Sequence, residues 1–207
     1  MSIKLNAQSG GSVALDAPTQ TTGSADVTLK LPVADGSNGQ VIKTDGSGNL
    51  SFGLGGLFSG VALLQDQKSA GTHGGQPPNT SSYNKRDLNT EVFDTGNFVS
   101  ISNNEFTLTA GTYLIQASIP AHRTNETRAL LFNVSDSSTV AYSQNVYIRD
   151  SAVTGGLIDL TARFTISGTK TFDIRQRVHN VDGEGLGHRS NFGDIEIYTQ
   201  VLIYKES

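Results

Sequence analysis

The 207-residue chain contains no cysteine, no tryptophan, a single methionine and only five prolines. Without cysteine, neither a disulfide framework nor a thiolate zinc site can form, and the chain suits either redox compartment. Charged residues make up 16% of the sequence and the formal net charge is −4. No basic field is therefore present to meet a phosphate backbone, which excludes nucleic acid as an expected partner. No apolar run approaches the roughly 20 residues that a bilayer-crossing helix needs. The opening Met1-Ser-Ile-Lys-Leu-Asn-Ala has one lysine but lacks the apolar core of about 7–15 residues found in a secretory signal. Arrival outside a cell is then expected to follow assembly in a cytoplasm and lysis. Helical periodicity is missing throughout.

Strict two-residue alternation takes its place. Ile158, Leu160, Ala162, Phe164 and Ile166 share one parity, with Asp159, Thr161, Arg163 and Thr165 on the other. Phe172, Ile174 and Val178 alternate with Thr171, Asp173, Arg175 and Arg177. Ile195, Ile197, Val201 and Ile203 alternate with Glu196, Tyr198, Gln200 and Tyr204. Successive strand side chains point to opposite faces, so each run predicts a strand with one buried face. Further strands are expected at 57–66, 83–93, 98–102, 105–109, 112–120, 128–134 and 139–148, separated by Gly, Asn, Asp and Ser turns. Residues 57–66 are apolar on both parities, as in a strand packed on two sides. Eight to ten short strands in about 150 residues fit a double-sheet jelly roll. An immunoglobulin-type sandwich is the competitor and usually needs fewer residues.

Residues 1–55 follow different physics, and residues 53–56 (Gly-Leu-Gly-Gly) read as a hinge into a second domain, 56–207. Large side chains are sparse before the hinge. Asp35-Gly36-Ser37 recurs as Asp45-Gly46-Ser47, the spacing of strands joined by tight turns. So few apolar groups cannot offset a chain entropy of about 1–2 kcal/mol per residue. The segment is either a Gly/Ser-rich linker or a strand region that orders against sister chains. The Val27-x-Leu29-x-Leu31 pattern, closed by Pro32, favours the second.

No catalytic set stands out. His73, His122, His179 and His188 lie in or near polar segments without metal-ligand spacing. His179 and His188 flank a loop with Asp182 and Glu184 that offers cation donors, yet a solvated Gly-rich loop accounts for it, and no metal or cofactor is expected. Residues 182–187 lack the following helix that a phosphate loop requires. Glu184 and Asp194 resemble a glycosidase pair only as any acidic loop does. Arg175 and Arg177 share a strand face and are the best candidates for contact with anionic sugars, although solvated outer-sheet charges explain them more simply. Tyr198, Leu202 and Tyr204 form a second apolar stripe on the last strand, either an interface or a second face covered within the chain.

Two stretches resemble known families. Residues 11–18 (Gly-Ser-Val-Ala-Leu-Asp-Ala-Pro), 27–32 (Val-Thr-Leu-Lys-Leu-Pro) and 39–52, ending Asp-Gly-Ser-Gly-Asn-Leu-Ser-Phe, resemble a segment common in fibre proteins of bacteriophages, especially those of marine and cyanobacterial hosts. Phe58, Ala110-Gly-Thr-Tyr113 and the closing strand resemble the trimeric jelly-roll head of the complement subcomponent-q and tumour-necrosis-factor type. The resemblance implies a non-enzymatic homotrimer on the virion surface, assembled in the host cytoplasm. Its N-terminal region would attach to other virion proteins, and the outward head would bind a host-surface glycan. A capsid decoration or cement protein and a bacterial lectin-like module are the alternatives. The trimer interface is then expected at Phe58, Tyr113, Tyr198, Leu202 and Tyr204, with Phe58 or Tyr113 forming part of the core behind the stripe.

Overall fold

The computed structural model describes residues 3–6, 9–10, 12–15, 18–151 and 154–207. Gly11, Asp16 and Ala17 of the fibre-like stretch, and Met1, Ser2 and Ala7 of the opening segment, lie outside the described residues. The chain divides into two compact units, Met1–Gly55 and Gly56–Ser207.

The described residues of the N-terminal unit form two hairpins and one short 3-10 turn, Thr22–Ser24. Strand β1 (Ile3–Asn6) pairs with β2 (Ser12–Leu15), and β3 (Gln40–Thr44) with β4 (Leu50–Leu54). The second Asp-Gly-Ser copy makes the β3–β4 turn. There the Asp45 carboxylate accepts the backbone N–H groups of Ser47 and Asn49 and the Asn49 side-chain amide. That last bond leads in holding the Asp45 carboxyl below its usual range. The first copy joins no pair of strands. The expected strand at 27–31 does not form either, leaving one isolated bridge between Lys30 and Asn49. Val27, Leu29 and Leu31 project into solvent, Leu31 at 76% exposure. Alternation supplies one apolar face, but among the described residues no strand covers it. None of the described side chains of this unit is buried.

The second unit carries β5 (Phe58–Lys68), β6 (Asn84–Lys85), β7 (Thr90–Asp94), β8 (Val99–Ser102), β9 (Glu105–Leu108), β10 (Gly111–His122), β11 (Asn125–Asn133), β12 (Ser138–Tyr142), β13 (Val146–Ile148), β14 (Gly155–Ile166), β15 (Lys170–Val178) and β16 (Glu196–Glu206). The single strands expected at 83–93 and 139–148 are each two short ones. Within 83–93, the break at residues 86–89 lets Arg86 turn inward.

One sheet runs β14-β10-β16-β5-β7 and the other β12-β11-β15-β9-β8, with β13 on β11 and β6 on β15, every pairing antiparallel. From β9 onward the chain passes between the two sheets repeatedly, and the last strand returns beside the first long one. This order is that of a jelly roll and differs from the immunoglobulin arrangement. The inward parities fill the space between the sheets, where Phe106 and Phe172 stack at 5.8 Å and Phe164 meets Phe172 at 5.1 Å. Ile158, Leu160, Ala162 and Ile166 all face this core, as their alternation predicts.

The last strand departs from its alternation. Between Ile197 and Gln200 it advances three residues while β5 advances two, the one-residue excess of a β-bulge. Tyr198 and Thr199 are both buried as a result, and Ile195 and Ile197 fall outside the core, Ile197 at 44% exposure.

Arg86 is fully buried and joins three elements. Its Nε donates to the Thr199 hydroxyl at 3.0 Å, Nη1 to Gln176 Oε1 at 2.8 Å and Nη2 to the Leu186 carbonyl at 2.7 Å. Burial lowers the guanidinium to about 10, which leaves it charged at neutral pH.

Candidate functional site

The outer face of the five-stranded sheet is the first candidate surface. Register places Leu202 beside Leu63, and Leu63 beside Phe93 on the next strand. Tyr204 sits between Val61 and Leu114, and the Phe58 ring packs 4.8 Å from the Tyr204 ring. The inner face is already covered by the second sheet, so these half-exposed groups form a second apolar surface on the outer side. Polar pairs border it. Gln65 donates to Gln200 at 2.8 Å, and Arg163 donates to both Glu206 oxygens at 2.6 and 2.7 Å.

Three of the five residues expected at an interface therefore lie together here: Phe58, Leu202 and Tyr204. Tyr113 and Tyr198 do not. Tyr113 points into the core, where its hydroxyl donates to the Thr109 carbonyl at 2.8 Å. The bulge turns Tyr198 inward, and its hydroxyl donates to the Thr72 carbonyl at 2.6 Å. Burial raises that phenol to about 12. Sequence reasoning missed Leu63, Phe93 and Leu114. The apolar residues on both parities of 57–66 were the available signal for Leu63.

The second candidate surface is a groove of about 690 Å³ on the outer side of the seven-stranded sheet, lined among others by Tyr83, Arg128, Tyr147, Arg177 and His179. The Arg128 guanidinium lies over the Tyr142 ring at 4.3 Å and donates from Nε to the Tyr83 hydroxyl at 3.0 Å. Arg177 reaches the groove wall, its Nε donating to the Thr80 carbonyl at 3.2 Å. Arg175 is committed elsewhere. It forms a two-bond pair with the buried Asp173 carboxylate at 2.7 and 3.0 Å, and its guanidinium covers the Phe132 ring at 3.6 Å. The two arginines share a strand face, but only Arg177 lines the groove. Aromatic rings stand beside an arginine and an acid in this groove.

The loop histidines regroup. His179 leaves the expected set and meets Glu126 at 3.2 Å. His188 stays beside Glu184, and His73 and His122 join from distant parts of the chain. A clasp between two loops brings them together: Gly74 N–H donates to the Gly187 carbonyl and Leu186 N–H to the Gly75 carbonyl. Gly187 takes φ +136° there, and a Cβ at that position would overlap the Tyr198 ring.

No known family profile and no curated protein matches the chain. Among solved structures it is similar to murine APRIL, at 12% identity over 70% of this chain and 98% of that chain, with a TM-score of 0.47. The globular domain of zebrafish complement 1qA protein is 11% identical over 70% of this chain and 94% of that chain, with a TM-score of 0.43. PRD1 vertex protein P5 is 12% identical over 84% of this chain and 85% of that chain, with a TM-score of 0.49. The jelly-roll assignment rests on the strand order of this chain itself.

Proposed function

We propose that this chain is a non-enzymatic structural protein of a bacteriophage virion: a homotrimer whose N-terminal unit attaches to the particle and whose jelly-roll head projects outward to bind a host-surface glycan. The observation that carries the trimer is the half-exposed apolar outer face built from Phe58, Leu63, Leu114, Leu202 and Tyr204. Water on that face would cost about 25 cal/mol for each Å² of apolar surface left exposed, and a closed ring of identical subunits covers it without leaving a free edge. The N-terminal unit supports the same reading, because its Val27, Leu29 and Leu31 are exposed. The fibre-like sequence of residues 11–52 supports the virion assignment. The groove beside Arg177 supports ligand binding, with Arg175 set aside.

Immunogold labelling of intact phage particles with an antibody to the head tests the reading. Gold at a tail tip or fibre is the expected result. Gold spread over the capsid would instead identify a decoration protein, and unlabelled particles would overturn the virion assignment.

A further inference from the structure

On the outer side of the seven-stranded sheet, register sets Arg128 of β11 directly opposite Arg177 of β15. Residues so opposed on one sheet face hold their Cβ atoms about 4.5–5.5 Å apart, and like charges at that spacing destabilise the pairing. Among the described residues neither guanidinium forms an ion pair. The other cations on the strands of this sheet each do: Lys85 with Glu105, Lys170 with Asp136 and Arg175 with Asp173. The cations left without a carboxylate are thus the ones that stand together.

Both side chains are nevertheless held. Arg128 donates from Nε to the Tyr83 hydroxyl and lies over the Tyr142 ring, and Arg177 donates from Nε to the Thr80 carbonyl. Each of these bonds goes to a neutral oxygen. Among the described residues the Nη nitrogens of both arginines have no hydrogen-bond partner. A guanidinium fork matches a planar or tetrahedral oxyanion with parallel N–H bonds, and here neighbouring forks offer them at one place.

The groove supplies the surroundings. Both arginines line its 690 Å³, a volume within the roughly 300–1,000 Å³ of small-ligand sites. The acid in its lining, Glu126, faces His179 at 3.2 Å. Tyr147 lines it too and is 61% exposed, an open ring with an apolar face and a polar tip. With a net charge of −4 the chain has no overall field that gathers polyanions, so the pair acts on one local group.

We propose that Arg128 and Arg177 together bind one oxyanion of a charged sugar, a carboxylate or a sulfate ester, with the sugar ring lying against Tyr147. The choice of a sugar rests on the glycan-binding function proposed above, whereas the anion site rests on the paired arginines themselves. Arg128 is then the principal partner of Arg177, in the place that Arg175 gives up to Asp173.

Calorimetric titration of the full-length protein with oligogalacturonate, its neutral methyl ester and a sulfated galactan fragment tests the site. One of the charged sugars should bind at least ~10-fold more tightly than the ester, and the tighter one identifies the oxyanion. Arg177→Gln, at an exposed position, should weaken that binding about 10–100-fold. It should not lower the melting temperature, because it also relieves the repulsion. Arg128→Lys keeps the charge, loses the fork and should weaken binding about 10-fold. The double variant should lose less than the product of the single losses, since both side chains hold one group. Lys170→Gln removes the same charge elsewhere on this sheet and should leave binding unchanged. Equal affinity for the methyl ester overturns the anion site and leaves host-glycan attachment standing. Charged-sugar binding unaltered in both Arg177→Gln and Arg128→Lys also overturns it. So does the absence of binding by all of these sugars, in which case a separate assay of the protein on intact host envelopes decides glycan attachment.

Discussion

The Arg86 guanidinium, 1% exposed, donates to the backbone carbonyl of Leu186 at 2.7 Å, so a buried charge on the sandwich core holds the loop that carries Glu184 and His188. Arg86→Met would leave the Leu186 carbonyl, the Gln176 amide oxygen and the Thr199 hydroxyl without this donor. A loss of about 3–5 kcal/mol is expected. Denaturant unfolding at fixed protein concentration should show the lower midpoint with an unchanged slope.

Gly187→Ala tests the clasp from its other side. The position needs both a positive φ and the space now taken by the Tyr198 ring. Backbone strain alone costs about 1–3 kcal/mol, and displacement of Tyr198 adds to it. The expected outcome is a lower melting temperature, together with faster amide exchange at residues 72–75 and 185–188.

Glu196 should give the head an acid-sensitive component. Its carboxylate accepts the backbone N–H and hydroxyl of Ser190, each at 2.8 Å, and the N–H groups of Asn191 and Gly71 at 2.8 and 3.0 Å. Led by the Ser190 N–H, these bonds hold the folded carboxyl down to about 2, against an ordinary value of 4.5. A lowered folded value stabilises above 4.5, and that contribution is lost as pH falls from 4.5 through 2. Glu196→Gln should therefore be less stable than the wild type at pH 7, with the gap closing toward pH 2.5. Paired urea midpoints across that range check it.

The two neighbouring arginines should separate by phenotype. Arg177→Ala removes a groove charge and should weaken binding to an anionic glycan about 10–100-fold with little change in stability, since a hydrogen bond to a charged group contributes about 1.5–3 kcal/mol. Arg175→Ala strands the buried Asp173 carboxylate and should cost about 3–5 kcal/mol while leaving the groove intact. A glycan array combined with thermal unfolding distinguishes the two.

Strands with one clean parity, such as 158–166, were legible in the sequence because burial on one face imposes alternation. The bulge at Tyr198 and Thr199 was not. An extra residue leaves composition unchanged and shows only in the register against β5. Alternation alone puts Tyr198 on the outer stripe that Leu202 and Tyr204 do occupy, and the bulge turns it inward. The histidine cluster was hidden for another reason. His73 and His122 are far from His188 in the chain, and only the closure of the sandwich and the Gly74–Gly187 clasp juxtaposes them. The strand expected at 27–31 shows the opposite failure, since its periodicity was real but among the described residues it gains only the single bridge from Lys30 to Asn49.

The oligomeric state of wild-type protein and Leu202→Glu by sedimentation velocity tests the central claim most directly. Leu202 is partly exposed and lies beside Leu63, so a charge there is tolerated in a lone subunit and excluded from a packed apolar interface. The account predicts a wild-type mass of about three 21.9 kDa subunits and a variant with the mass of one. A monomeric wild type, or a variant that assembles unchanged, would contradict it.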